Sequence, residues 1–534
     1  MTAISSIAAA QQPVVAKLAA TVPAANEPLA VTASAPASPT TVVTLGQDSG
    51  VTDAQTYTAR GVIADPDVPP AWEYTEQDKV SLAMMGNFGN SSSASRFAGL
   101  GAALISQLAE TGKGISQSVL RSTTGRALEP AEVAAARDRL HTQADNSISL
   151  TLKTASGKTV QLTLSSSTNG LSMQADVSGG QLTDDELVAL GAMADGFQKA
   201  IDGLTQQPPQ LKLDALTHFD SKVFSSVDLS TRLKLSDNSI QTFELHANDE
   251  QRSLRMSGAA GDMQMSVDLK NSAIRGDSDQ QARALKGYIN QIEAARRRGD
   301  GDPALLSMFE DGFKTLHSNY PDTRVSNKPQ TVSSIELTNT DHALLTGLAD
   351  FSASVSEHSK ADNPVRPNEL DSFAYDLSQS TQSKGRNQLN RSIEQNQQSH
   401  LTASYHKALY PGQKLDLTRD PKSQSYQYFQ VEDSASSTTR IGYEKGALVN
   451  ASVAQSASQS TRVSKYVLGH LEEDTKTPVS ASRTHNFLSV LQQALQQDKQ
   501  AQLGRGTSLL KDALASIQDQ VLLQSDPTQL RGGS

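Results

Sequence analysis

The sequence predicts an α+β protein, with antiparallel β-meanders and packed helices, preceded by a small helical region and a disordered N-terminal segment. Three observations carry this. Apolar residues alternate with polar ones over several runs between residues 146 and 269, and recur with helical period in the segments around them. Turn residues separate the first alternating runs, and no strand–helix alternation of the kind a parallel sheet needs follows. The hydrophobic fraction of 37% in a chain of 534 residues is low for a globular protein even when its 34 glycines are added, so part of the chain is expected to stay unfolded.

Residues 1–70 are rich in Ala, Thr, Pro, Val and Ser, carry almost no charge before Asp48, and show neither period. They predict a disordered segment, and the same uncharged, hydroxyl-rich character fits an export signal that is not cleaved. The stretch Met1 to Ala10 lacks the positive region of a secretory signal and is followed by Gln11, Gln12 and Pro13. No window approaches the ~20 apolar residues of a membrane-spanning helix. A cytoplasmic location and export without a cleaved signal both stay open.

Residues 72–142 read as a helical region. Val80, Leu82, Met84 and Met85 give a first apolar face; Phe97, Leu100, Leu104, Ile105 and Leu108 form a stripe on a second helix from Ser93 or Ser95. A third runs from Glu129-Pro130 to His141, with Pro130 suited to the first turn and Glu132 to the helix dipole.

Residues 146–322 read as a first α+β unit. Ile148, Leu150 and Leu152, then Val160, Leu162 and Leu164, then Leu171, Met173, Ala175 and Val177 alternate with polar residues, which predicts a three-stranded meander. A helix follows, with Thr183 and Glu186 at capping-box spacing and Leu187, Leu190, Met193, Ala194, Phe197 and Ile201 along it. Alternation returns over 223–235, 240–245, 254–256 and 263–269. A helical pair, first Leu285, Ile289 and Ile292 and then Leu305, Phe309, Phe313 and Leu316, closes the unit, with Asp302 capping and Pro303 opening its second helix.

Residues 331–525 read as a second α+β unit, led by a strand-like 332–337 and carrying a Gln/Ser-rich insertion near 377–400. Leu182-Thr183 and Leu190 to Asp195 align with Leu337-Thr338 and Leu345 to Asp350, and Gly299 to Asp302 before Leu305-Leu306 aligns with Gly504 to Thr507 before Leu509-Leu510. An internal duplication and two chance matches are equal readings of these alignments.

Composition narrows the function. A net charge of −10 argues against broad nucleic-acid binding, and the only compact basic run is Arg296-Arg297-Arg298 at a helix end. The absence of cysteine excludes disulfides, thiolate nucleophiles, Cys-ligated zinc and iron–sulfur clusters.

No residue emerges as catalytic, cofactor-binding or metal-ligating. Gly99-Leu100-Gly101 is a degenerate dinucleotide motif: Leu104 stands where a third glycine belongs, and helix precedes it. Gly157-Lys158-Thr159 ends like a phosphate loop, but Leu152 stands where the opening glycine belongs and alternating runs flank it, which predicts a hairpin turn. Asp300-Gly301-Asp302 echoes a calcium loop, yet Pro303 to Leu306 interrupt the ligand spacing, so helix capping is the expected role. The two Arg-Gly-Asp triplets, at Arg275 and Arg298, sit at helix boundaries where Gly and Asp belong. His400 and His406 fall on one face of a strand or opposite faces of a helix. The stripe Leu510, Leu514, Ile517 and Val521 is expected to be core.

The Leu-Thr and Leu-Gly-Ala-Met-Ala-Asp elements of 182–195, with the polar meander before them, resemble a class of uncharacterised, cysteine-free, Ser/Gln-rich bacterial proteins over residues 146–322. That resemblance implies class and origin and brings no activity or site. The expectation is a non-enzymatic bacterial interaction or scaffold protein, exported or surface-associated, that needs no cofactor and whose protein partners and oligomeric state are open. The alternatives are a dehydrogenase-type oxidoreductase using NAD at Gly99 and Gly101, and a β-rich module binding glycan or lipid.

Overall fold

Strands whose side chains alternate apolar and polar can bury only one face, and among the described residues that alternation builds one open sheet of 15 strands. The computed structural model describes residues 68–74, 78–122, 126–235, 237–320, 335–504 and 510–531. All lie in a single unit spanning 65–534. The expectation for 1–70, apart from 68–70, falls outside the described residues.

The described residues begin with β1 (Ala71–Trp72), α1 (Lys79–Phe88), α2 (Ser93–Arg96), α3 (Leu100–Thr111), β2 (Ile115–Leu120) and α4 (Pro130–Thr142). The meander is β3 (Asn146–Thr154), β4 (Thr159–Ser167) and β5 (Gly170–Ser178), followed by α5 (Asp184–Ala192), α6 (Ala194–Leu204) and α7 (Asp214–Thr217). Next come β6 (Phe224–Lys234), β7 (Ile240–Asn248), β8 (Gln251–Gly258) and β9 (Gly261–Asp268), then α8 (Ser278–Gly299), α9 (Pro303–His317) and α10 (Asn339–Ala343). The longer strands are β10 (Asp350–Glu357), β11 (Ser372–Asn387), β12 (Asn390–Ala408), β13 (Tyr426–Glu444), β14 (Ala447–Val467) and β15 (His470–Asn486). The chain closes with α11 (Leu488–Gln502), α12 (Leu510–Gln518) and α13 (Pro527–Arg531).

The order across the sheet is β1-β2-β5-β4-β3-β6 and then β7 to β15 in sequence, with every ladder antiparallel. This is the α+β class that the two hydrophobic periods predict. Leu150, Leu229, Leu245, Leu254, Met265, Ala353 and Leu377 stand opposite one another in register and are buried, so one row of the apolar face crosses the sheet. A fully buried Leu contributes about 1.5–3 kcal/mol over an exposed one, which makes this row and the helices over it the main source of stability. Beyond β11 the same row continues as Ser399, Ala435, Ala457 and Ala481.

Several local expectations change. The helical stretch 72–142 also contains β2, whose Gln117 and Ser118 are buried polar residues that mask its period. The helix expected from Ser93 to Leu108 is broken: Gly99 takes a left-handed conformation (φ 70°) between α2 and α3, although all five stripe residues are buried. The long helix after Thr183 is two, divided at Met193, with the capping box in place. On α1 the buried face is Val80, Met84 and Phe88, while Leu82 and Met85 are exposed. Of the strand-like 332–337, residues 332–334 lie outside the described residues and 335–337 carry no regular structure.

The Gln/Ser-rich stretch near 377–400 forms most of the β11–β12 hairpin, deep in the sheet. Its Gln379, Gln395 and Gln397 are buried. Gln379 accepts from Tyr288 Oη at 3.0 Å and Thr346 Oγ1 at 2.7 Å and donates to the Leu348 carbonyl at 3.0 Å. Gln395 accepts the Thr346 N–H at 2.9 Å and donates to Thr381 Oγ1 at 2.9 Å. Satisfied in this way, the carboxamides occupy positions that aliphatic residues hold elsewhere in the sheet.

Of the aligned segments, Thr183 and Thr338 both head capping boxes. Past them the chain differs: 190–195 runs from α5 into α6, whereas 345–350 leaves α10 and enters β10.

Candidate functional site

The polar partners of the alternation make the other face. Taking one residue per strand from β2 across to β15, strict register aligns Ser116, Gln174, Thr163, Ser149, Ser230, Glu244, Arg255, Gln264, Ser354, Asp376, His400, Ser434, Ser458 and Ser480. All are polar and none is buried. At ~4.8 Å between strands the row has a contour of about 60 Å. A parallel row, two residues along, reads Asp176, Gln161, Thr151, Asp228, His246, Ser253, Ser266, Ser352, Ser378, Gln398, Ser436, Ser456 and Ser482.

Short hydroxyl side chains leave this surface low, with donors and acceptors close to the backbone plane. Two hollows lie along it. One of ≈ 620 Å³ is lined by Ser352, Ser354, Asp376, Gln398, His400 and Ser434 among others; the second, of ≈ 540 Å³, includes Asp228, Glu244, His246, Ser253 and Arg255. They share Gln264. The ionisable groups in the second hollow are partly paired: His246 Nδ1 lies 2.5 Å from Asp228 Oδ1, and Arg255 Nη2 donates to Gln264 Oε1 at 3.3 Å.

Scans against protein-family models, curated proteins and solved structures return no match for this chain.

Several titratable groups with displaced pKa values belong to internal struts away from these rows. Burial would raise Glu186, but hydrogen bonds from Lys158, Ser156 and the Thr183 N–H outweigh it and bring the carboxyl down to about 2. His317 is fully buried and pushed down to about 3 by desolvation and the nearby Arg252 charge, with Nδ1 2.7 Å from Tyr320 Oη. His406 is buried beneath the 358–371 connection between β10 and β11. Burial alone would lower it, but Asp371 at 2.6 Å and Glu369 at 3.2 Å raise it to about 9. Tyr426 Oη donates to Glu369 at 2.6 Å, and the Arg366 guanidinium lies 4.1 Å from the Tyr466 ring centroid, so the connection is clamped onto the sheet.

The motifs singled out in the sequence take structural roles. Gln198 Oε1 accepts the Gly101 N–H at 2.8 Å and the Ala102 N–H at 3.3 Å, filling the N-terminus of α3, and α2 rather than a strand delivers Gly99. A Cβ on Gly101 would lie 2.5 Å from Ile201 Cδ1, which shows close helix–helix approach. Gly157-Lys158 forms the β3–β4 turn, and Lys158 Nζ sits 2.8 Å from Glu186. Asp300 ends α8 in a left-handed conformation, and Asp302 caps α9 by accepting the Leu305 N–H at 2.8 Å.

Of the two Arg-Gly-Asp triplets, one gives Asp277 as the cap of α8; in the other, Arg298 pairs with Asp433 and Thr461. His400 and His406 are on β12, the first in the open row and the second under the connection. Ile517 and Val521 of the C-terminal stripe are buried. Among the described residues no group of three His, Asp or Glu side chains could hold a metal ion, and no helix is long and apolar enough to cross a membrane.

The apolar half of each alternating run predicts the strands but not the open rows. The signal for the open rows is in the other half, where Ser and Thr recur at every second position of 147–151, 352–356 and 456–460.

Proposed function

We propose that this chain is a non-enzymatic interaction or scaffold protein that acts through contacts along the open polar face of its sheet. The observation that carries the reading is the row of fourteen unburied polar side chains from Ser116 to Ser480. A surface of short hydroxyls and carboxamides with both signs of charge suits a long, shape-dependent contact spread over many weak bonds. Strongly displaced ionisable groups of the kind that drive reactions, such as Glu186, His317 and His406, are engaged in holding loops and helices, which fits the same reading. Bacterial origin and export or surface association are part of this proposal and rest on residues 1–70 and on the composition.

The test is site-specific photo-crosslinking in the source cells. A photoreactive residue at Ser354 or Ser434 should give one dominant product, and one at Leu503, exposed on the helical side, should not. Bulky Ser354→Trp and Ser434→Trp changes that leave the circular dichroism unchanged should abolish the biological effect of the chain. Retention of that effect in both variants refutes the proposal. Cell fractionation tests the location, and finding the chain only in washed cytosol removes export.

The two hollows on the face favour a second reading, a module binding a polar ligand such as a glycan. Low aromatic content counts against the stacking contacts sugars commonly use. A thermal-shift screen against neutral oligosaccharides distinguishes the two readings.

A further inference from the structure

Residues 521–526 belong to no helix or ladder, yet the chain grips them along their main chain. Gln397, buried on β12, donates from Nε2 to the Val521 carbonyl at 2.8 Å and accepts the Leu523 N–H at 2.9 Å. Ser437 Oγ on β13 donates to the same Val521 carbonyl at 3.0 Å, and Gln455 Nε2 on β14 donates to the Leu522 carbonyl at 2.7 Å. Gln459 donates to the Ser525 carbonyl at 3.1 Å, and the Ser525 N–H donates to Gln291 Oε1 on α8 at 3.1 Å. Val521 and Leu523 are buried as side-chain anchors between these amides.

This is how a groove reads an extended peptide: side-chain amides satisfy the backbone, and two apolar pockets set the register. The groove is built entirely from residues upstream of the segment. We infer that the groove between α8 and the helix-facing side of β12, β13 and β14 is a peptide-binding site that accepts residues 510–531 from a second copy of this chain as well as from its own. The six hydrogen bonds and the two anchors are the same whichever chain supplies the segment, and only the link between Gly504 and Leu510 makes the contact internal. The covalent link gives the resident segment a high effective concentration, so exchange shows at high protein concentration or after transient opening. Reciprocal exchange closes a two-fold dimer, and one-way exchange builds a chain of copies. The inference stands independently of the open polar face.

The test uses the full chain with a protease site placed in the 505–509 link. After cutting, the freed 510–531 fragment should co-elute with the body and be replaced by a fluorescent synthetic 510–531 peptide, with a dissociation constant at or below about 1 µM. Combining Gln397→Leu with Gln455→Leu should weaken that binding at least about tenfold. A fragment that leaves with no uptake of the peptide overturns the inference.

Should cutting unfold the body, intact chains decide. Two differently tagged preparations are mixed at about 100 µM and taken through mild denaturant. Mixed-tag dimers that disappear when 510–531 is deleted support the inference, and none in the parent chain overturns it.

Discussion

Removing Asp341 should destabilise the protein by more than its small, five-residue helix would suggest. The side chain is 0% exposed and accepts four hydrogen bonds: Arg391 Nη2 at 2.7 Å, Tyr443 Oη at 2.9 Å, and the Thr338 N–H and Oγ1 at 2.8 and 2.9 Å. Arg391 is 3% exposed, and its guanidinium lies 3.9 Å from the Tyr443 ring centroid. In Asp341→Ala that guanidinium keeps its charge in the interior without a counter-ion, which costs about 3–5 kcal/mol, and the capping box is lost for about 1 kcal/mol more. Arg391→Met is expected to cost less, because Thr338 and Tyr443 still serve the carboxylate.

In the double variant no unpaired cation remains. Its loss of stability should fall short of the sum of the singles by about 2–3 kcal/mol. Urea unfolding followed by circular dichroism reads all four corners of the cycle. A spectrophotometric titration gives a second readout: burial and then the Asp341 charge push the Tyr443 hydroxyl up to about 12, so Asp341→Ala should let it ionise at lower pH. Additive single effects, or a loss under about 1 kcal/mol for Asp341→Ala, would refute the reasoning.

Three further outcomes are expected. The folded-state pKa of Glu186 is depressed, so its contribution is present above the ordinary carboxyl range and is lost as pH falls toward about 2; acid denaturation midpoints should show this step, and Glu186→Gln should remove it. His406 is shifted the other way: its contribution is complete below the ordinary histidine value and fades as pH rises through about 9, so amide exchange in 358–371 should accelerate there, and should lose its pH step in His406→Gln. Pro478 interrupts the N–H groups of β15, the long edge strand, which also carries Glu472, Glu473, Asp474, Lys476 and Arg483. Pro478→Thr restores a donor at that edge and should raise aggregation measured by light scattering, whereas the same substitution combined with Thr477→Lys should not.

How much was legible in the sequence follows from what each position had to bury. The strands β3 to β9 carry Leu, Val and Met on the helix-facing side, so period two identified them. In mid-strand, β11 to β14 place Gln379, Gln397, Ser437 and Gln455 on that side, where loops and the C-terminal segment present main-chain carbonyls, and there the apolar half of the signal is interrupted. That is why the periodicity of the sequence does not mark Gln379 to Gln398 as strands. Caps with local chemistry, at Thr183 and Asp302, are readable because three or four residues decide them. The open rows need register between distant strands, and the strap over His406 needs partners 35 and 37 residues away, so neither is visible in any local window.

From β6 onward each strand lies beside its predecessor in the chain. Tension applied at Asn486 against a fixed Phe224 would therefore not have to shear the whole assembly at once. It would meet the ladders one after another, β15 from β14, then β14 from β13, each opening like a zip and each held again by the helices behind it. The same order lets a nascent chain lay down every new strand on one already in place as it leaves the ribosome. A protein laid out in this way can lengthen or shorten over evolutionary time by whole hairpins at its C-terminal side, without re-routing what came before.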